Sequence, residues 1–396
     1  MNLYAKSVLC IVALFLATAR ISQAADRDSL ASDDQLEFDS VTSASYESAS
    51  PACGVPLSVY VPNANPGFNL HAGFLLLKPG ADNLGYATIT TFLPLGNPQW
   101  AVETLNPDNQ PGFTVGASWD LASPGIDVQT SWEHLRTSDA ESVAVDNLAT
   151  QWVSPFNQTG PSTSESPNEV GIFHLKSAAA QVEFDYDMAN IDMGQTVNIG
   201  ANAQLRLFAG VSIVRLREQL VSTFYNNPNV VPVPPVIAIP DATLQSISLD
   251  NTSTYTGAGP RLGLNTSFNL SHGFTFVSQL SGAILQGRMQ PAQYSFTAVF
   301  DDVINAEQIK SGSVTQVVYA SDAKVGLGYS RLLRNGSVLE LETGFKAAVF
   351  MDPFATYETS TNVLPLDIGS LSTNSMRHTP SDFTLGGFYA SGGLRW

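Results

Sequence analysis

Between Gly259 and Leu285 apolar and polar residues alternate one by one. Leu262, Leu264 and Phe268 interleave with Arg261, Gly263, Asn265 and Ser267, and Phe274, Phe276, Leu280 and Ile284 follow a short Asn-Leu-Ser-His-Gly break. A period of two marks an extended strand with two chemically different faces, and the glycine-containing break makes the pair a hairpin. Runs of the same kind recur at 67–78, 112–120, 125–135, 174–200, 203–218, 323–332, 337–350 and 382–396, which with the hairpin predict about ten strands. Short turns fall near 122–125, 201–203, 270–273 and 334–336. Asn335-Gly336 is the strongest of these, because both residue types accept positive φ. The hairpins are separated by connections of about 30 residues, at 79–111, 136–173, 218–253, 288–322 and 351–381. Irregular loops of that length are uncommon in a compact soluble domain.

Two architectures satisfy this alternation. A soluble sandwich buries the apolar face against a second sheet and shows the polar face to water. A membrane barrel does the reverse, with Leu262, Leu264, Phe268, Phe274 and Phe276 against lipid and Arg261, Asn265 and Ser267 in the lumen. Periodicity does not separate them; the leader, the alternating loop lengths and the low charge favour the barrel. Residues 1–25 carry Lys6, an apolar run from Ser7 to Ala19 and Ser22-Gln23-Ala24 before an acidic segment, the layout of a signal peptide cleaved near Ala24 or Ala25. Residues 26–65, rich in Asp, Glu and Ser, read as a disordered acidic linker. No later stretch approaches the roughly 20 apolar residues of a membrane helix. At the other end Phe388, Ala390, Gly392, Leu394 and Trp396 share one face, and an aromatic residue ends the chain. Outer-membrane barrels end in such a strand, which their assembly machinery recognises. Alternating short and long connections match short periplasmic turns and long external loops. The expectation is therefore all-β: a transmembrane antiparallel β-barrel of about ten strands over residues 66–396, closed because lipid tolerates no open sheet edge.

Composition narrows the partners. Only 13% of residues are charged and the net charge is −17. Such acidity argues against nucleic acid, which needs a basic footprint. Cys10 lies in the leader, so Cys53 is the one cysteine left after processing and no intramolecular disulfide can form. The partners expected are outer-membrane lipid, the barrel-assembly machinery and small solutes or ions, and the fold is compatible with a homo-oligomer.

The blocks GFTVGASWDL and GIDVQTSWEHL, then LRLFAGV, GPRLGLNTSFNL and LGYSRLLRNGSVLELETGF, resemble the Legionella-type major outer membrane protein family in order and spacing. The resemblance covers the strands from about Phe68 to Trp396. It implies a pore-forming outer-membrane barrel. The long acidic linker and a terminal Trp where Phe is more usual depart from the family pattern.

If apolar residues face lipid, the opposite parity lines the lumen. That places Asp127, Gln129 and Glu133 on one strand and Gln181, Glu183, Asp185 and Asp187 on the next, with Arg206, Arg261, Lys324, Lys346 and Arg395 supplying positive charge and Glu340 and Glu342 opposing them. Arg or Lys on the lipid face would cost about 2–4 kcal/mol at the midplane. The arrangement suggests a constriction with acidic walls that passes small hydrophilic solutes or ions and prefers cations. In a narrow barrel the same charges could instead pair and plug the lumen, leaving a structural or adhesive surface barrel. Trp119, Trp132, Tyr186, Tyr255, Tyr329 and Trp396 are expected at the interfacial girdles.

Enzyme chemistry finds little footing. The five histidines, His71, His134, His174, His272 and His378, have no metal-ligand spacing, though the first three could approach across strands. GASWD lacks a nucleophile elbow. Glu183, Asp185 and Asp187 could serve acid–base or Ca²⁺ chemistry, but an acidic pore wall explains them with fewer assumptions. Neither metal nor cofactor is expected. The Pro-rich stretch 226–240 is an extended surface element that could reach the barrel mouth, bind a partner or pack on neighbouring loops.

Overall fold

A computed structural model describes residues 59–61, 67–91, 99–121, 123, 125–146, 151–156, 175–225, 244–290, 293–300, 303–310, 312–364 and 370–396. The leader, Cys53, His174, the Pro-rich stretch and all of the acidic linker but residues 59–61 lie outside them.

Ten strands form the barrel: β1 Gly67–Ala81, β2 Gln110–Asp120, β3 Ile126–Ala144, β4 Ser177–Ile199, β5 Ala203–Tyr225, β6 Leu244–Ser271, β7 Phe274–Met289, β8 Val314–Leu332, β9 Val338–Leu364 and β10 Ser370–Arg395. Each pairs antiparallel with the next, and β10 pairs with β1, so the ring has no open edge. Followed across the strands, the register leaves β1 at Gly67, passes Asp120, Asp127, Gly194 and Phe208 and, through the remaining strands, returns to β1 at Pro79. That stagger over ten strands corresponds to a strand tilt of about 40°. The turns after β4, β6 and β8 are short, with positive φ at Gly200, His272, Gly273 and Gly336. Glycine meets that demand without the Cβ clash.

The wall has two tiers. In the membrane tier, apolar side chains point outward: Leu262 is 61% exposed and Phe388 66%, with Ile191, Met193, Leu207 and Val211 similarly bare. Between them Arg206, Arg261, Asn190 and Asp192 turn inward. Above this band the chemistry of the two faces exchanges while the backbone alternation continues. On β4 the inward positions become Ala178, Ala180, Val182, Phe184, Tyr186 and Met188, all buried. The exchange needs no bulge, since β3 and β4 stay in unbroken register from Ile126↔Gln195 to Ala144↔Ser177. On β5 it falls between exposed Ile213 and buried Val214. Water replaces lipid outside at this level, so the apolar residues that hold the wall together must face inward.

The expected long loops are therefore largely sheet. β3 runs on to Ala144, β5 to Tyr225 and β9 to Leu364, while β6 starts at Leu244 and β10 at Ser370. A hairpin of Gln293–Phe300 and Val303–Lys310 continues β7 and β8 outward and lies along β6. A separate three-stranded sheet, Gly85–Thr91, Gln99–Thr104 and Gln151–Pro155, contributes Tyr86, Ala87 and Val153 to the same buried apolar cluster as Phe184. Val59–Tyr60, within the segment expected as linker, pair with Ile199 and Asn198.

Candidate functional site in the lumen

Inside the membrane tier the side chains form stacked layers. At the periplasmic rim Arg395 Nη2 donates to Asp120 at 2.7 Å, and Asn69 Nδ2 to Glu340 at 3.0 Å. Above the rim lies a cavity of about 410 Å³ whose polar lining includes Gln129, Gln204, Asn265 and Gln279. Its upper wall is basic and aromatic. Arg206 Nε donates to both oxygens of Asp127, at 2.9 and 2.8 Å, and Arg261 donates to Asp192 at 2.6 Å and to Ser281 at 2.9 Å. Both guanidinium carbons lie 5.1 Å from the ring centre of Phe208, so one aromatic residue positions two ion pairs.

The next layer is charged and buried. Lys346, 1% exposed, contacts Glu133 and lies 3.0 Å from Asp322, while Lys324 reaches Glu133 at 3.4 Å. Tyr186 donates its hydroxyl to Glu133 at 3.1 Å, and Tyr389 donates to Glu342 at 2.6 Å. Glu133 comes from β3 and Lys346 from β9, on distant arcs of the ring, so their contact crosses the lumen. Buried Lys346 and half-buried Lys324 serve two buried carboxylates there, the pairing such charges require away from water.

Directly above sits an aromatic layer. Phe383 lies 5.3–6.4 Å, ring centre to ring centre, from Phe184, Tyr186, Phe350 and Phe354, and all five are buried. Phe354 follows a kink in β9 where Asp352 adopts φ 55° before Pro353, and the register with β10 shifts between Phe350 and Phe354. Outside the wall, on the turn after β1, Asp82 is held above the usual carboxylate range by partial burial and by the carboxylate of Asp382.

Of the lumen residues expected from sequence, the structure gathers Asp127, Glu133, Arg206, Arg261, Lys324, Glu340, Glu342 and Lys346 inside the ring, and Arg395 at its rim. Glu183, Asp185 and Asp187 are corrected: with Gln181 they stand on the outer face of the outer tier. There Arg136 lies 3.7 Å from Glu183 and 3.4 Å from Asp185, and His134 lies 2.8 Å from Asp187. Taking the acidic face of the outer half of β4 as the lumen face inverted them, because the two faces exchange chemistry along that strand. The same inversion hid Asp192, a lone charge between Ile191 and Met193. Asp322 was missed because it lies one residue before the strand expected at 323–332. Trp119, Trp132 and Trp396 face outward as girdle residues, but Tyr186 and Tyr255 are fully buried inside, the latter donating to the Leu285 carbonyl at 2.9 Å. His71 lines the lumen and His134 the outer wall, so those two do not converge. Among the described residues no group of His, Cys, Asp and Glu is arranged to hold a metal ion.

A closed ring with an apolar waist, girdle tryptophans, short turns at one end and an aromatic C-terminal strand defines an outer-membrane β-barrel. The chain belongs to the family of the Legionella pneumophila major outer membrane protein precursor, whose model matches residues 60–396. No curated protein matches it. Among solved structures it is similar to the outer membrane protease OmpT from Escherichia coli, at 12% identity and TM-score 0.37 over 83% of this chain and 96% of that one. It is also similar to the P. putida toluene transporter TodX (7%, TM-score 0.29, 83% and 89%) and to a Pseudomonas aeruginosa FadL homologue (10%, TM-score 0.25, 84% and 90%). Likenesses this distant carry no argument about activity.

Proposed function

We propose that this barrel rests in a form closed by its own side chains and passes small hydrophilic ions only when its charged and aromatic layers part. The observation that carries this reading is Lys346, buried between Glu133 and Asp322 and roofed by Phe350 and Phe383. An ion crossing from the outer side would have to displace an apolar layer and then a neutralised one, and each is a barrier to charge. The polar cavity below supports a pore reading, because it gives the ion a hydrated chamber on the periplasmic side. The sum of lumen charges supports a cation preference. The carboxylates of Asp127, Glu133, Asp192, Asp322, Glu340 and Glu342 outnumber the cations of Arg206, Arg261, Lys324 and Lys346. The reading contains no catalytic step, since the His134–Asp187 pair stands on the outer wall rather than in the cavity.

The test is conductance in a planar bilayer under a KCl gradient, for the wild type and for Phe383→Ala combined with Lys346→Met. The wild type should be silent for most of the record, with brief cation-biased steps, and the variant should stay open far longer. Steady, large conductance from the wild type would sink the self-closed reading. A properly folded variant with no current at all would leave a purely structural or adhesive surface barrel.

A further inference from the structure

On the outer wall, where the apolar band ends, three arginines surround two threonines. Thr256 of β6 is in register with Arg215 of β5 on one side and Arg288 of β7 on the other, and Thr254 is in register with Arg217. Arg215, Thr256 and Arg288 are exposed on the same outward parity as Ile213, Leu262 and Ile284. In a chain of net charge −17, such a cluster invites neutralisation by neighbouring acids, yet among the described residues no carboxylate reaches Arg215 or Arg288. Asp187, the register neighbour of Arg215, is turned to His134 at 2.8 Å. Arg288 donates instead to the Ser313 hydroxyl at 2.6 Å. Arg217 alone is shared, 3.6 Å from Asp185 and 2.9 Å from Gln219 Oε1.

Below the cluster the wall is bare apolar surface, with Val211, Ile213 and Ile284 each about half exposed and Leu262 more so. Acyl chains of the outer leaflet occupy that surface in a membrane. The guanidinium groups and the exposed Thr256 stand where those chains meet their headgroup. Adjacent strands are about 4.8 Å apart, so Arg215 and Arg288 flank a gap of about 10 Å. Guanidinium forks bind phosphate oxygens in bidentate fashion and, being weakly hydrated, tolerate an interface better than ammonium does.

We infer that Arg215, Arg217 and Arg288, with Thr256, form a binding site for the phosphate groups of a phosphorylated glycolipid of the outer leaflet. Apolar wall below and the cations above, of which Arg215 and Arg288 meet no carboxylate among the described residues, match the two ends of that molecule.

The test uses the full chain folded in detergent, with diphosphorylated lipid A as probe and native mass spectrometry as readout. The wild type should retain lipid A at least about tenfold better than enzymatically dephosphorylated lipid A, the size expected when charge-assisted hydrogen bonds are lost. Arg215→Ala/Arg217→Ala/Arg288→Ala should abolish that preference in the heat-modifiable, folded fraction. Arg331→Ala, which removes an exposed arginine near the periplasmic end, should keep it. The inference is overturned if the triple variant retains lipid A like the wild type, if the dephosphorylated lipid binds equally, or if phosphatidylglycerol or free inorganic phosphate binds as tightly as lipid A. Should the triple variant fail to fold, Arg215→Ala/Arg288→Ala alone must lower the preference.

Discussion

Lys346 and Glu133 are 213 residues apart in sequence and meet inside the ring, where the lysine also faces Asp322. No single strand contains this contact; it exists only when β3 and β9 are both in place, so it reports closure of the barrel. Removing Lys346 alone strands the buried Asp322 carboxylate and leaves Glu133 to Lys324 and Tyr186, and the loss should be about 3–5 kcal/mol. Lys346→Met is expected to lower the urea midpoint of the folded barrel in vesicles. Lys346→Met with Glu133→Gln should recover part of the loss, since a neutral pair leaves less buried charge unmatched. If the double variant is no better than the single one, the coupling is absent.

The aromatic layer makes a different demand. Phe383 touches Phe184, Tyr186, Phe350 and Phe354, so its truncation opens a cavity lined by four rings. Phe383→Ala should cost about 3–5 kcal/mol. Phe383→Leu should cost less than half of that, because it keeps most of the buried volume. Both values are measurable by the same unfolding titration, and equal losses would show that the layer is not close-packed.

The acidic residues on the two faces of β4 should behave in opposite ways. Glu183→Gln/Asp185→Asn/Asp187→Asn removes three negative charges from the outer wall and should leave the KCl reversal potential of an opened barrel unchanged. Asp192→Asn, inside beside Arg261, should move that potential toward anion preference. The measurement is made in the Phe383→Ala/Lys346→Met background so that current can flow. A shift caused by the outer triple variant would place those carboxylates on the ion path.

These contrasts show what alternation can and cannot disclose. Strand number, the turn at Asn335-Gly336 and the inward parity of Arg206, Arg261, Glu340 and Lys346 were legible, because in the membrane tier the apolar face is always outside. The outer tier was not. Its strands keep the period of two, but their apolar side chains face inward, and the rule that apolar residues face outward, valid at Ile191 and Met193, misplaces Glu183, Asp185 and Asp187. The switch is written in β4: apolar residues fall on even positions through Met188 and on odd positions from Ala189. Extensions such as β9 beyond Met351 read as loop because Thr, Ser and Asn dominate them. The crossing of Lys346 to Glu133 was beyond reach, since which strands face each other depends on the stagger of the closed ring.

The kink in β9 offers a backbone test. Asp352 holds φ 55°, and its amide donates to the Asp382 carboxylate at 2.8 Å. Asp tolerates this region better than most residues, a β-branched side chain hardly at all. Asp352→Gly should be neutral or stabilise slightly, and Asp352→Val should destabilise by about 1–3 kcal/mol. The comparison is made by unfolding in urea, with heat-modifiable migration to confirm that each barrel has closed. Equal tolerance of Gly and Val would mean that the kink is not enforced by the backbone.

Trp396 lies at the seam that closes the ring. Trp396 and Phe68 exchange backbone hydrogen bonds of 3.0 and 3.1 Å, and their rings meet edge-on at 5.6 Å. These contacts fasten β10 to β1 at the periplasmic end, where the chain's first and last barrel strands must find each other. Phe388 and Leu394 extend the same outward face into lipid. Trp396→Phe keeps an aromatic edge and should assemble normally. Trp396→Ser keeps the backbone bonds but loses the ring contact and the apolar side chain, and combined with Phe388→Ser it should cut the folded fraction in the outer membrane several-fold. The fraction is read from heat-modifiable migration of isolated membranes. If the double serine variant assembles as well as the wild type, closure is driven by the β1–β10 ladder alone and the terminal aromatic plays no part in it.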